Sequence, residues 1–330
     1  MKKALRFLRY LLFCLLGLIL MIGGLFAYFI YTPDPQIPEL SGALTKATMQ
    51  VDGLTRTFRT YLPKGLAKGA PLLLVLHGSG QNGAQIRLET GYEFDRLADQ
   101  YGFAVVYPNA KSFDWNDCSK VGDFSADGRE VDDVKFLEVL VDSLIAEHGF
   151  DQSRVFATGV SSGGFMSMRL ALESSKRFRA VAAVSANVPV TDNFKCKPAN
   201  LTTSVLIMNG TKDPLVPYAG GDSSLFGLFY KGGHVRSSLD SAIFFAEMNK
   251  ISNAPAMDST PMTTQNKQQF ERRLWKNDSV LEVELVSIFD GGHGMPQPYW
   301  KRPRLLGPSP MAPNGPAIIW DFFARQRPFL

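Results

Sequence analysis

The apolar positions of this chain fall into three kinds of stretch. The first is Leu11 to Tyr31, which is almost wholly apolar, carries no charge and is long enough to cross a bilayer as a helix. The second kind is short and mainly apolar: Pro71–Leu76, which is fully apolar, and Gly102–Pro108, Arg154–Thr158, Arg179–Ser185 and Thr203–Met208 read as strands of a buried sheet. Between and after them lie helical stretches at Phe94–Gln100, Val131–Glu147, Gly164–Leu172, Ser238–Asn249 and Pro316–Arg325, the last with proline suited to its first turn. Strand and helix in alternation predict an α/β domain with a mostly parallel central sheet flanked by helices.

The third kind alternates. Thr48 to Leu62 does so weakly about Asp52-Gly53, which predicts a hairpin covering a sheet edge. Gln269–Trp275 and Val280–Phe289 read as two late strands joined near Asn277-Asp278. The remaining segments read as loops: Asn109–Arg129, Asn187–Asn200, the glycine-rich Tyr218–Arg236, Ile251–Gln268 and Gly307–Asn314.

Charge then divides the chain. Of 330 residues, 35 are Lys or Arg and 31 are Asp or Glu. Lys2, Lys3, Arg6 and Arg9 account for the whole excess, so the remainder is formally neutral, which argues against a nucleic-acid-binding surface. Basic residues before the apolar run and Asp34 and Glu39 after it place the N-terminus in the cytoplasm and the bulk of the chain outside. A cleaved signal peptide is the rival reading, but the run is long and its exit, Gly24 to Tyr31, is bulky. Thr32 to Pro38, with proline at alternating positions, is a stiff extended spacer. The expected organisation is a basic segment (1–10), a transmembrane anchor or signal segment (11–31), a proline-rich linker (32–47) and one catalytic domain (48–330). Of the three cysteines, Cys14 lies in the apolar run. Cys118 and Cys196 lie in the exported part, either bridged or as two buried thiols.

The chemistry centres on Gly159-Val160-Ser161-Ser162-Gly163, between the strand at Arg154–Thr158 and the helix that follows. Gly-x-Ser-x-Gly at a strand-to-helix junction is the nucleophile elbow of an α/β-hydrolase. Ser161 must sit in a strained backbone position, and a side chain at 159 or 163 would collide with the neighbouring strand or helix. The buried strand Pro71–Leu76 ends in His77-Gly78-Ser79-Gly80, where a second oxyanion donor is expected. The predicted donors are the N–H groups of Ser79 and Ser162. His77, at a strand terminus, is read as a brace for this loop. Asp213 follows the strand Thr203–Met208, and His293 sits in Asp290-Gly291-Gly292-His293-Gly294 after the last strand. The order Ser161, Asp213, His293 is the hydrolase order of nucleophile, acid and histidine. His234, in a glycine-rich loop, is the weaker candidate base. Asp132 and Asp133 are read as helix-capping acids rather than a metal pair, because no third ligand stands in register. Trp115 is the candidate pocket wall. No metal or organic cofactor is required.

Together these segments resemble a known family. Leu76-His77-Gly78, Trp115-Asn116-Asp117-Cys118, Val131-Asp132-Asp133-Val134, Gly159 to Gly164, Ser185-Ala186-Asn187-Val188-Pro189, Asn209 to Tyr218, Gly291-Gly292-His293 and Ile319 to Phe323 resemble the extracellular polyhydroxybutyrate depolymerases. That family also includes feruloyl esterases and mycobacterial LpqC-like lipoproteins. The resemblance covers residues 48 to 325. It implies a secreted serine esterase with Ser161 as nucleophile, Asp213 as acid and His293 as base, and it favours a Cys118–Cys196 bond.

The chain departs from the family after the histidine. Relatives carry threonine and tryptophan before the proline; here Gly294, Met295 and Pro296 follow, so Met295 is the expected pocket residue in place of a rigid aromatic. The chain shows no separate polymer-binding domain, and a tethered enzyme is poorly suited to insoluble granules. The expected partners are therefore short hydroxyalkanoate oligomers or small esters, with the membrane engaged through the N-terminal helix. Feruloyl or acetyl-xylan esters are the alternative substrates, and a membrane-tethered binding protein with an inactive hydrolase fold is the non-enzymatic alternative. The expected location is a bacterial inner membrane with the domain on the periplasmic or extracellular side, or secretion if the segment is cleaved.

Overall fold

The computed structural model describes residues 2–121, 131–199, 203–225, 227, 229–251, 262–264, 268–276 and 280–326. The expected turn at Asn277-Asp278 and parts of the loops expected at 109–129, 187–200 and 251–268 lie outside the described residues. The chain begins with helix α1 (Lys2–Phe29), whose apolar side chains are exposed along its length. It is long and apolar enough for a membrane span, and a signal sequence has the same properties. Residues 31–40 carry neither helix nor strand.

The hairpin expected at Asp52-Gly53 joins β1 (Ala43–Val51) to β2 (Leu54–Leu62). Both turn residues have positive φ, 50° and 74°, which a two-residue hairpin turn of this hand requires. The elements then alternate: β3 (Leu72–Leu76), α2 (Gly83–Glu89), α3 (Glu93–Tyr101), β4 (Ala104–Pro108), α4 (Asp133–His148), β5 (Val155–Val160), α5 (Ser162–Glu173), β6 (Ala180–Val184) and β7 (Ser204–Gly210). After them come β8 (Gly221–Leu225), β9 (Phe229–Val235), α6 (Ser238–Met248), β10 (Met262–Thr263), β11 (Gln269–Lys276), β12 (Glu282–Ile288) and α7 (Gly315–Ala324).

Among the described residues the strands form a ten-stranded sheet in the order β1-β2-β4-β3-β5-β6-β7-β12-β11-β10. The stretch from β4 through β12 is parallel, and both edges are antiparallel. Alternate residues of each central strand feed opposite faces, as the pleat demands. Leu72, Leu74 and Leu76 of β3 pack with α4, α5 and α6; Leu73 and Val75 pack with α3 and α7. This two-sided burial explains the unbroken apolar runs. The arrangement is an α/β-hydrolase-like sheet. From β3 the chain runs to β4 on one side and then returns to β5 on the other, so a crevice opens at the carboxyl ends of β3 and β5.

Two local expectations change. Residues 218–236 are not wholly irregular, because β8 and β9 pair as an antiparallel hairpin with shifted register near Ser223 and Ser224. Glycine and serine hid these strands, since neither residue type gives an apolar alternation. Helix α2 is absent from the sequence reading; it is only seven residues long, and its start is fixed by Asn82, whose side chain accepts from the N–H of Ala84 and Gln85. Cys118 and Cys196 form a disulfide, with Cα atoms 4.9 Å apart. It ties the segment after β4 to the segment after β6, beside the pairing of Ser119 with Phe194.

Candidate active site

The elbow is built as its residue types require. β5 ends at Val160, and α5 begins at Ser162. Ser161, between them, has φ 57° and ψ −122°, a strained conformation for a residue with a side chain. Its N–H donates to Val184 O at 2.9 Å, which anchors the turn to β6. A Cβ at 159 would overlap the backbone of Gly163, and one at 163 would overlap the carbonyl oxygen of Leu76. Both glycines are thus needed for the helix to return this close to the sheet. The turn leaves Ser161 at the N-terminus of a twelve-residue helix, where negative charge is favoured.

Asp213 and His293 meet although they arise from different loops. The carboxylate of Asp213 is fully buried and lies 2.8 Å from His293 Nδ1 through Oδ2. Its other oxygen accepts from the N–H groups of Leu215 (2.8 Å) and Val216 (2.9 Å). With both carboxylate oxygens accepting, Nδ1 carries the proton and Nε2 is left with its lone pair. The histidine loop is fixed at each step. Gly292 N–H donates to Pro308 O (2.7 Å), His293 N–H to Leu306 O (2.8 Å), and Gly294 N–H to Ser185 Oγ (2.6 Å). Ser161 and His293 line one cavity; no hydrogen bond joins their side chains among the described residues.

Ser79 also lines that cavity. Among the described residues no acceptor takes the N–H of Ser79 or of Ser162, so both are available to a ligand. His77 is a brace. Its Nε2 accepts from Ala110 N–H (3.0 Å), which places the proton on Nδ1 for donation to Gly78 O (2.7 Å). Burial pushes its pKa down to about 4, with the Gly78 contact opposing. Asp114 is buried beside this loop, and nothing in its stretch of sequence singles it out. Burial raises its carboxyl, and the nearby hydroxyls of Ser79 and Ser162 pull it back, although neither makes a well-formed hydrogen bond to it.

The two expected pocket residues need correction. Trp115 is buried behind the loop, donating from Nε1 to His77 O (2.9 Å) and from its backbone N–H to Ser162 Oγ (3.0 Å). Met295 is also buried, because the turn at Gly294 (φ 125°) sends it into the core beside Met208. Neither lines the cavity, whose volume is about 200 Å³. Its apolar wall is Phe113, Val160, Leu215 and Leu306, with Phe113 exposed at the rim. Its polar wall is Gln81, Glu89 and Arg302. Burial raises the Glu89 carboxyl, while Arg302, Gln81 and His293 pull it down. Burial lowers Arg302 to about 10, offset by Glu89 and Asp213, so it stays charged at neutral pH.

The remaining candidates lie elsewhere. His234 is on β9, exposed, with Nδ1 3.1 Å from Asp222 Oδ1 across the hairpin. Asp132 caps α4 by accepting from Lys135 N–H (2.9 Å). Asp133 is buried against Arg56 (2.6 Å) and accepts from Asn116 N–H (2.9 Å).

Residues 56–213 match the family model described as Esterase PHB depolymerase. The chain is 28% identical over 289 residues to NocK of Nocardia uniformis subsp. tsuyamanensis, which carries an esterase assignment. That match covers 84% of this chain and 81% of NocK. It is 27% identical over 254 residues to poly(3-hydroxyalkanoate) depolymerase C of Paucimonas lemoignei, covering 72% of this chain and 58% of that one. It is 34% identical over 128 residues to feruloyl esterase B of Neurospora crassa, covering 38% and 42%. In fold it is similar to the acetyl xylan esterase of Aspergillus awamori, with a TM-score of 0.53 at 17% identity over 76% of this chain and 94% of that one.

Proposed function

We propose that this chain is a carboxylic-ester hydrolase of the polyhydroxybutyrate-depolymerase/feruloyl-esterase type of α/β-hydrolase, with Ser161, His293 and Asp213 as its catalytic triad. The observation that carries the assignment is the 2.8 Å contact between His293 Nδ1 and buried Asp213 at the wall of the cavity that also holds Ser161. His293 Nε2 takes the proton as Ser161 Oγ attacks the ester carbonyl. The oxyanion is held by the N–H groups of Ser79 and Ser162, aided by the α5 dipole. Asp213 keeps the imidazole in the useful tautomer and stabilises its charged form. His293 then protonates the leaving alcohol, and water cleaves the acyl-enzyme by the reverse route. Catalytic hydrogen bonds of this kind tighten in the substrate complex, and the Ser161–His293 contact forms there.

For the substrate, feruloyl or acetyl esters of carbohydrate fragments come ahead of hydroxyalkanoate oligomers. The observation that favours them is the higher identity to a feruloyl esterase than to the hydroxyalkanoate depolymerase. Parallel turnover of methyl ferulate, acetylated xylose and 3-hydroxybutyrate dimer tests the order. Faster cleavage of the dimer would reverse it. The exposed apolar face of α1 and its basic flank support anchoring in a bacterial inner membrane, with the catalytic domain on the periplasmic side. N-terminal sequencing of the membrane-extracted protein tests this, and a mature N-terminus beyond residue 29 would replace anchoring with secretion.

A further inference from the structure

Two charged side chains in the Ser161 cavity have no part in the triad. Arg302 is 7% exposed, yet its side chain lines the cavity. Its Nη2 donates to Met295 O, and its Nε has no partner. Glu89, at the end of α2, accepts from Gln81 Nε2 (2.5 Å) through one oxygen. Gln81 in turn accepts from Gly78 N–H (3.0 Å). Glu89 and Arg302 influence each other electrostatically, and among the described residues no ion pair joins them. The Arg302 side chain and a Glu89 carboxylate with one oxygen outside the Gln81 contact therefore line one small space, although Arg302 Nε itself is shut off from it. The rest of the wall is mainly apolar.

We propose that Glu89 and Arg302 form a hydroxyl-binding subsite that selects esters carrying a hydroxyl group close to the scissile bond. A hydroxyl can donate to Glu89 and accept from Arg302 at once. A carboxylate would be repelled by Glu89 and an ammonium by Arg302. A plain alkyl group would desolvate both charges further without adding a polar contact, the costly outcome for buried polar groups. The hydroxyl can belong to the acyl part or to the alcohol part of the ester. The Gln81 relay also ties its binding to the loop that carries the Ser79 donor. The proposal rests on the esterase reading and deepens it.

The test uses isosteric ester pairs with the full-length chain. Methyl 3-hydroxybutyrate against methyl 3-methylbutyrate probes the acyl side, and 2-hydroxyethyl acetate against propyl acetate probes the alcohol side. In the wild type kcat/KM favours the hydroxylated member of at least one pair by roughly ten- to a hundred-fold, the range of one charge-assisted hydrogen bond. Glu89→Gln exchanges the free acceptor for a donor and brings the ratio close to one; Arg302→Met does the same. Because Arg302 also holds the histidine loop, Glu89→Gln is the deciding variant. A wild type without preference in both pairs, or a preference that survives Glu89→Gln, overturns the subsite. Hydrolysis of these esters by Ser161→Ala at the wild-type rate would instead overturn the esterase reading.

Discussion

His293 and Asp213 are 80 residues apart in sequence and 2.8 Å apart in space, and the two backbone N–H groups on the far side of the carboxylate leave it no role as a proton donor. Asp213→Asn keeps the shape but offers an amide N–H or a weaker acceptor, so the imidazole loses its tautomer. kcat on 4-nitrophenyl acetate falls about 10³- to 10⁴-fold with KM little changed. A loss below ten-fold would mean that Asp213 does not orient the base.

Gly163 lies against the carbonyl of Leu76 without room for a methyl group. Gly163→Ala forces the elbow away from β3, and the obstacle is backbone, which cannot rotate aside. The expected cost is about 3 kcal/mol or more, read as a lowered urea midpoint or as loss of soluble protein. Wild-type stability in this variant would contradict the close packing.

The Cys118–Cys196 bond closes a separation of 78 residues. Chain-entropy arithmetic gives about 4.5 kcal/mol for such a loop, within the ~2–5 kcal/mol typical of native bonds. The double variant Cys118→Ala/Cys196→Ala unfolds at lower urea by that order, and reductant shifts the wild type but not the variant. Equal shifts by reductant in both would remove the bond from the account.

His77 links stability to acid. Its folded pKa of about 4 lies below the ordinary 6.5, so the unfolded chain binds the proton more readily. Its contribution is fully present above pH 6.5 and is lost as pH falls toward 4. His77→Gln removes that loss. The stability difference between wild type and variant therefore shrinks by up to about 3 kcal/mol between pH 7 and pH 4.5, measured by urea unfolding. A difference independent of pH would mean that His77 is not held neutral.

Much of this was legible in the sequence because the information is local. Unbroken apolar runs marked the parallel strands, and the Gly-x-Ser-x-Gly spacing marks a turn that few other residues can make. That Asp213 and His293 meet was legible through their position after strands, since only strand ends reach the crevice. The cavity wall was not. Phe113, Glu89 and Arg302 come from three separate segments, and each is an ordinary residue in its own stretch. Trp115 shows the same limit from the other side. A loop tryptophan near the crevice reads as a wall, but only the tertiary hydrogen bond to His77 O reveals that it faces inward. The β8/β9 hairpin has no such signal in the sequence, because its glycines and serines leave no apolar period.

The most direct test of the triad is covalent labelling with a fluorophosphonate, followed by peptide mapping. The account predicts one adduct per wild-type chain, on Ser161, and none on Ser161→Ala. Equal labelling of Ser161→Ala, or an adduct carried by Ser79 or Ser162 in the wild type, would contradict it.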